Sequence, residues 1–300
     1  SIAGSVSVAA HVEEEGWQNT AEAPTIAGTT GKSRSIQAVR INLTGELANQ
    51  YDVYYRVHAS GYGWLSWACN GADAGTTGLG VSAEAVQIML VKKGEAAPAT
   101  GSDACITKPM LSYSAHVSNI GWMASSNNGY AGTQGRALKV EDLKLSVSSN
   151  VSGDIQYSAH VQDYGWRSWA SNGASCGTTG QNKRLEAIKI QLTGDLSKYF
   201  DVWYRAYVQD YGWLGWAANG AQAGTSNIGY RLEGIQIQVL PKGSASPGST
   251  YRPFTNVPVM PADQFAMWQR ANRYASSTNW LLLVDTTRCR VGVYNGSSYN

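Results

Sequence analysis

Apolar residues fall on alternate positions in short runs, and the runs recur along the chain. In the stretch "YSAHVQ", Tyr157, Ala159 and Val161 share one face and Ser158, His160 and Gln162 the other, which is the two-residue period of a half-buried strand. A second alternating run follows it, with Ile188, Ile190 and Leu192 as its apolar set. The same set recurs as Val39, Ile41 and Leu43, as Val86, Ile88 and Leu90, and as Ile235, Ile237 and Val239. Between the two runs stand Asn-Gly dipeptides (Asn70-Gly71, Asn128-Gly129, Asn172-Gly173, Asn219-Gly220) and loops resembling "GTTG". Both are turn signals that call for backbone conformations glycine and asparagine tolerate. Each unit therefore reads as a small antiparallel β element.

Gly-Trp dipeptides count the units. Trp17, Trp64, Trp122, Trp166 and Trp213 are spaced by 47, 58, 44 and 47 residues, giving five repeats of about 46 residues each. The long spacing contains "KKGEAAPATGSDA", and "PKGSASPGS" follows the fifth copy; both have the small-residue and proline content of linkers. The division is thus repeats one and two over 1–93, a linker over 94–104, repeats three to five over 105–240, a second linker over 241–260 and a distinct tail over 261–300. A single repeat cannot bury its own apolar face, so three are expected to close about a pseudo-threefold axis as a β-prism or β-trefoil. The connectors "LTGELANQYDVYYR" and "LTGDLSKYFDVWYR" match repeats one and two to four and five. A repeat like the third is accordingly expected upstream of them.

Composition narrows the function. Charged residues make up 15% of the chain and the net charge is +2, so there is no basic footprint for nucleic acid. No apolar run has the length of a membrane helix. Cys69, Cys105, Cys176 and Cys289 form no C-x-x-C pair, which argues against zinc or dithiol redox chemistry and leaves their pairing open. His11, His58, His116 and His160 share one repeat position that Tyr207 fills in the fifth copy; this substitution speaks against a metal site, so the rings are expected to bond loop carbonyls. Glu84, Glu141, Glu186 and Glu233 share another position, with Gln37 in repeat one, and are expected to accept hydrogen bonds from loop amides rather than to form a catalytic pair. No cofactor is implied.

The tryptophans divide into two sets. The Gly-Trp residues Trp17, Trp64, Trp122, Trp166 and Trp213 occur in every repeat and are expected to form the structural core, because a buried indole cannot be lost without a costly cavity. The second tryptophan is Trp67, Trp169 and Trp216 in three repeats but Thr20 and Ser125 in the others. That tolerance marks it as the candidate ligand-binding set, with Asn70, Asn172 and Asn219 as polar neighbours. Several such sites on one array would bind with avidity.

The stretch "YSAHVQDYGWRSWASNGASCGTTGQNKRLEAIKIQL" resembles the clostridial hydrophobic repeat, ChW, and the resemblance covers about residues 5 to 240. It implies a secreted or cell-wall-associated protein of a Gram-positive bacterium that binds glycans, peptidoglycan or surface glycoproteins. In the tail, "PADQFAMWQRANRYASS" has the spacing of a short helix, and "NWLLLVDTTRCRVGVYNGS" reads as a hairpin with Leu281, Leu283, Val291 and Val293 among its apolar residues. Residues Met267 to Ser297 resemble the opening of an L,D-transpeptidase domain, which implies a parent protein that cross-links peptidoglycan. That chemistry needs an activated cysteine beside a histidine, and the last histidine here is His160, so this chain is expected to be non-catalytic. The leading expectation is a multivalent adhesion module. The alternative is a homo-oligomer or filament subunit assembled by strand pairing or donation.

Overall fold

The computed structural model describes residues 2–123, 129–256, 280–285, 290–295 and 298–299. Residues Ser1–Phe254 form one compact unit and Thr255–Asn300 a second. The first is almost wholly β. Each repeat opens with a leading strand: Val6–Val12, Tyr51–Ala59, Met110–Val117, Ile155–Val161 and Phe200–Val208. Each closes with a trailing strand: Ile36–Leu43, Ala83–Lys92, Val140–Ser148, Leu185–Leu192 and Leu232–Pro241. The two pair antiparallel, and the Gly-Trp dipeptide forms a short third strand against the end of the leading one.

In every repeat one extra residue bulges from the trailing strand beside the last pair of the ladder. The bulged residues are Gln37, Glu84, Glu141, Glu186 and Glu233. Such a bulge bends the strand and frees a carbonyl for another partner. In repeats one, three, four and five that partner is the glycine loop of a neighbouring repeat. Thr133 donates its backbone N–H to the Glu233 carbonyl at 2.7 Å and Thr178 to the Glu141 carbonyl at 2.8 Å. Short strands Ala131–Gly132 and Ala223–Thr225 complete this pairing against the trailing strands of repeats five and four. Repeat three therefore sits on repeat five, five on four and four on three, which is a closed cycle of three. Repeat two sits on repeat one in the same way through Ala74–Thr77.

The inward face of the ring is tyrosine-centred. Tyr55, Tyr113, Tyr157 and Tyr204 are fully buried at one leading-strand position, with Val8 in repeat one. Each phenol donates to a loop carbonyl: Tyr113 to Gly129 at 2.6 Å, Tyr55 to Ala72, Tyr157 to Ala174 and Tyr204 to Ala221. The bond satisfies a polar tip that burial would otherwise strand. Ile188, Ile190, Ile235 and Ile237 pack in one core with Tyr113, Tyr157 and Tyr204, and Val39, Ile41 and Leu43 pack in another with Tyr55, as the alternation of their strands requires.

Both stretches read as linkers fold back on the repeats. Thr100 forms a parallel bridge with Trp67, the Tyr199 hydroxyl donates to the Asp103 carboxylate at 2.7 Å, and Trp216 donates its backbone N–H to the Ser249 carbonyl at 2.9 Å. Just after the first stretch, Cys105–Thr107 pair with Gly75–Thr77 in parallel. Ile106 and Leu65 are buried in the same core cluster as repeats three to five. The Tyr62 hydroxyl donates to the Tyr199 carbonyl at 2.8 Å. In the second unit, Trp280–Asp285 and Arg290–Asn295 form the expected hairpin, extended by Ser298–Tyr299. The helix expected within 261–277, and Ser125, Asn128 and Cys289, lie outside the described residues.

Two tests address these contacts. Burial pushes the Tyr55 phenol up to about 12, whereas an unfolded tyrosine ionises near pH 10. The neutral phenol thus contributes stability that is complete below pH ~10 and is lost as pH climbs toward ~12. Because burial raises Tyr62, Tyr113, Tyr157, Tyr199 and Tyr204 as well, urea unfolding as a function of pH should show a summed decline that Tyr55→Phe makes shallower. Gly224 has a φ of +117° and an added Cβ would lie 2.4 Å from the Glu186 carbonyl oxygen, so Gly224→Val should cost about 2 kcal/mol or more in urea unfolding.

Candidate functional site

Cross-strand partners share a face of a sheet. His11, His58, His116 and His160 pair directly with Trp17, Trp64, Trp122 and Trp166, and Tyr207 pairs with Trp213. The histidine position faces away from the tyrosine core, so the indole does too. The five Gly-Trp residues expected in the core are consequently not there: Trp64 and Trp122 are 45% and 41% exposed, and Trp17, Trp166 and Trp213 are half-buried. Each indole instead meets the edge of its paired ring, with centroids 5.3 to 5.5 Å apart.

A cation lies over each of these indoles. Arg40 is 3.9 Å from the Trp17 centroid, Lys144 4.6 Å from Trp122 and Lys189 4.1 Å from Trp166. Arg56 lies 4.9 Å from Trp64 and Arg205 4.6 Å from Trp213. The strand that supplies the cation changes. The cross-strand pairs Ala9–Arg40, Ser114–Lys144 and Ser158–Lys189 place it on the trailing strand, and Arg56–Gln87 and Arg205–Gln236 on the leading strand. Each repeat carries one cation in this pair. The contact is favourable because the π face is electron-rich, and it was readable from sequence once strand register was known.

The second tryptophans have three different fates. Trp169 is 45% exposed, and in the same repeat Tyr164 is exposed with Arg167 over its ring. Trp67 is half-buried beneath Arg56, at 4.8 Å, and lines a hollow of about 400 Å³ with Cys69, Thr100, Ser102, Cys105 and Asn150. Trp216 is 4% exposed, because the segment around Gly248 covers it. Trp216 is therefore a packing residue, contrary to expectation, since a chain segment occupies the face a ligand would need. Asn70, Asn172 and Asn219 adopt left-handed backbone conformations. The Asn70 and Asn219 side-chain carbonyls accept the Val53 and Val202 N–H groups at 3.0 and 3.1 Å. Their amides, and that of Asn172, donate to Asp52, Asp201 and Asp154. These asparagines hold the turn to the leading strand, and their polar atoms are engaged there. The adjoining glycine N–H groups donate to the neighbouring repeat: Gly71 to Ile41 at 2.8 Å and Gly220 to Ile190 at 2.6 Å.

The histidines and bulged glutamates face each other rather than loop carbonyls and amides. Nδ1 of His58, His116 and His160 lies 3.0, 3.2 and 3.1 Å from Glu84, Glu141 and Glu186. In repeats three to five a basic residue stands two positions before each glutamate. Arg184 and Arg231 reach Glu186 and Glu233 at 2.7 and 2.8 Å, and Lys139 reaches Glu141 at 3.7 Å. These three cations line a hollow of about 320 Å³ on the cycle of repeats, together with Gln162, Asn182 and Gln209. The Arg231 guanidinium also donates to Gln209 at 2.8 Å. The sequence reading missed this site. Its signal is the pattern Lys/Arg-x-Glu, present in the three repeats that close and replaced by Ser35 and Ser82 in the other two. Because each cation faces a carboxylate, the hollow offers fixed hydrogen-bond groups without a strong net field.

Cys69, Cys105 and Cys176 are free thiols, and burial pushes the Cys105 thiol up to about 12, far from the range of a reactive thiolate.

A five-unit β repeat with an outward aromatic in each unit defines a repeat-module protein. The chain belongs to the family described as Clostridial hydrophobic W, ChW, which it matches over residues 11–45, 58–92, 116–148, 160–194 and 207–241. Every match starts at the histidine or tyrosine that meets the indole. It leaves Met267 to Ser297, and their likeness to an L,D-transpeptidase opening, without support. Neither a curated protein nor a solved structure matches the chain.

The two second tryptophans of opposite burial provide a direct check. Trp216→Ala should lower stability by about 3–5 kcal/mol, the usual range for emptying a buried aromatic site. Trp169→Ala should cost under about 1 kcal/mol. Urea unfolding of the full chain distinguishes the two.

Proposed function

We propose that this chain is a non-catalytic, extracellular binding module that attaches a cell-wall protein to glycan, with peptidoglycan or surface glycoproteins as the bearers. The observation that carries this reading is the outward indole with a cation fixed over it, repeated five times on one unit. An indole face stacks on the apolar face of a sugar ring, and adjacent donors select hydroxyl groups. Repeats two and three expose this indole most, at Trp64 and Trp122, and repeat four adds exposed rings at Tyr164 and Trp169. The charge-balanced hollow lined by Lys139, Arg184 and Arg231 suits hydroxyl-rich ligands better than phosphates, because its cations already have carboxylate partners. Weak sites on a rigid body add through avidity.

Indole fluorescence tests this. Titration with peptidoglycan fragments and a panel of glycans should shift the emission, and Trp169→Ala should weaken binding about tenfold, or about 1.4 kcal/mol. Silence toward every member of both sets would sink the reading.

A second reading, a subunit of a surface assembly, draws on the hairpin of the second unit. Leu282, Val284, Val291 and Val293 share one face there and are exposed. Light scattering at high concentration should then show self-association that disappears when residues 261–300 are deleted.

A further inference from the structure

Repeats one and two reproduce repeats four and five strand for strand, but their surroundings differ. Ile235, Ile237 and Val239 on the trailing strand of repeat five are 0%, 0% and 8% exposed. Their counterparts on the trailing strand of repeat two, Val86, Ile88 and Leu90, are 42%, 56% and 51% exposed, and Met89 between them is also exposed. In the closed cycle, Ala131–Gly132 of repeat three lie along repeat five at Ile235 and Gly234. No described strand takes that place along Ala85 and Val86.

The complementary half of the vacancy lies in repeat one. At Gly75, Gly132, Gly177 and Gly224 an added Cβ would come within 2.3 to 2.4 Å of the carbonyl oxygen of a neighbouring repeat's bulge, at Gln37, Glu233, Glu141 and Glu186. Gly28 is the fifth member of this set by position, with a φ of +118° close to those of Gly75, Gly132 and Gly224, yet among the described residues its added Cβ would meet only its own repeat's Ile36. Among the described residues, the Glu84 bulge likewise meets no glycine. One glycine loop without a bulge and one bulge without a glycine loop are the two ends of an open cycle.

We infer that this open cycle is the docking site of one more ChW repeat, of the kind of repeat three. Its glycine loop would lie on the Glu84 bulge and cover Val86, Ile88 and Leu90, and its own bulged strand would receive the Gly28 loop. A ChW repeat fits because the occupant must present both features at once, which repeat three does within this chain. The occupant is joined in the same polypeptide, ahead of residue 1. Residues Ala3 and Gly4 follow the path of Ser152 and Gly153, the connector by which repeat three enters repeat four. Leu47 donates its N–H to the Ala3 carbonyl at 2.9 Å as Leu196 does to Ser152 at 2.8 Å. Gly4 presses on the Thr44 carbonyl as Gly153 does on that of Thr193.

The experiment compares the full chain with the same chain carrying a copy of residues 108–149 directly ahead of Ser1, which keeps the spacing of repeats three and four. Hydrogen exchange at the amides of Glu84–Leu90 should slow at least tenfold in the extended protein, and anilinonaphthalene sulfonate fluorescence should fall. Gly132→Val made in the copy alone should abolish both effects, because its Cβ would strike the bulge carbonyl. Unchanged exchange at Glu84–Leu90 in the extended protein overturns the inference, including when the added repeat fails to fold. It is equally overturned if the unextended chain dimerises with those amides already protected, since a second copy is then the occupant.

Discussion

The structure depends on one contact between backbones: a glycine loop laid against the bulged carbonyl of the next repeat. No side chain fits between them, since an added Cβ would come within 2.3 to 2.4 Å of that oxygen at four of the five loops. This contact sets repeat order, because these four loops each reach the trailing strand of a neighbour rather than their own. It also brings Tyr113, Tyr157 and Tyr204 into a shared interior and places Tyr55 in a second core with repeat one, and all four phenols bond to the carbonyls of turns. Packing alone tolerates many arrangements of aliphatic residues. A steric fit of main chain to main chain tolerates few.

Much of the fold was legible in the chain. Strand alternation, five units and the terminal hairpin follow from period and turn chemistry, and the positions read as inward, such as Tyr157, Ala159 and Val161, are inward. What failed was the inference from recurrence to burial. Trp17 and its four counterparts recur because each completes a stack with a paired ring and a cation on the outer face, and a stack constrains identity as firmly as a core does. Strand pairing would have corrected this: the residue opposite His160 must lie on the face of His160. That pairing is a tertiary fact, since the dipeptide strand is two residues long and carries no period of its own.

The candidate site was legible in part. Trp169 is open, as its variability suggested. Trp216 varies for a different reason: in repeat five a following segment covers it, and whether a remote stretch folds back is not encoded in the local pattern. The asparagines were recognised as turn residues and misjudged as ligand contacts, because their side chains cap the turn they form. The hollow lined by Lys139, Arg184 and Arg231 escaped notice since its members are distant in sequence and each resembles an ordinary surface ion pair. Their absence from repeats one and two becomes informative once three repeats are known to close.

The migration of the cation between strands makes the five aromatic surfaces chemically unequal. Where arginine sits over the indole, a planar guanidinium layers on the ring and keeps N–H groups at its rim; where lysine does, a compact charge sits above an otherwise bare face. Repeats three and four are of the lysine type and repeats one, two and five of the arginine type. A single polypeptide thereby displays a graded series of surfaces, whose chemistry changes repeat by repeat through exchange at one cross-strand pair.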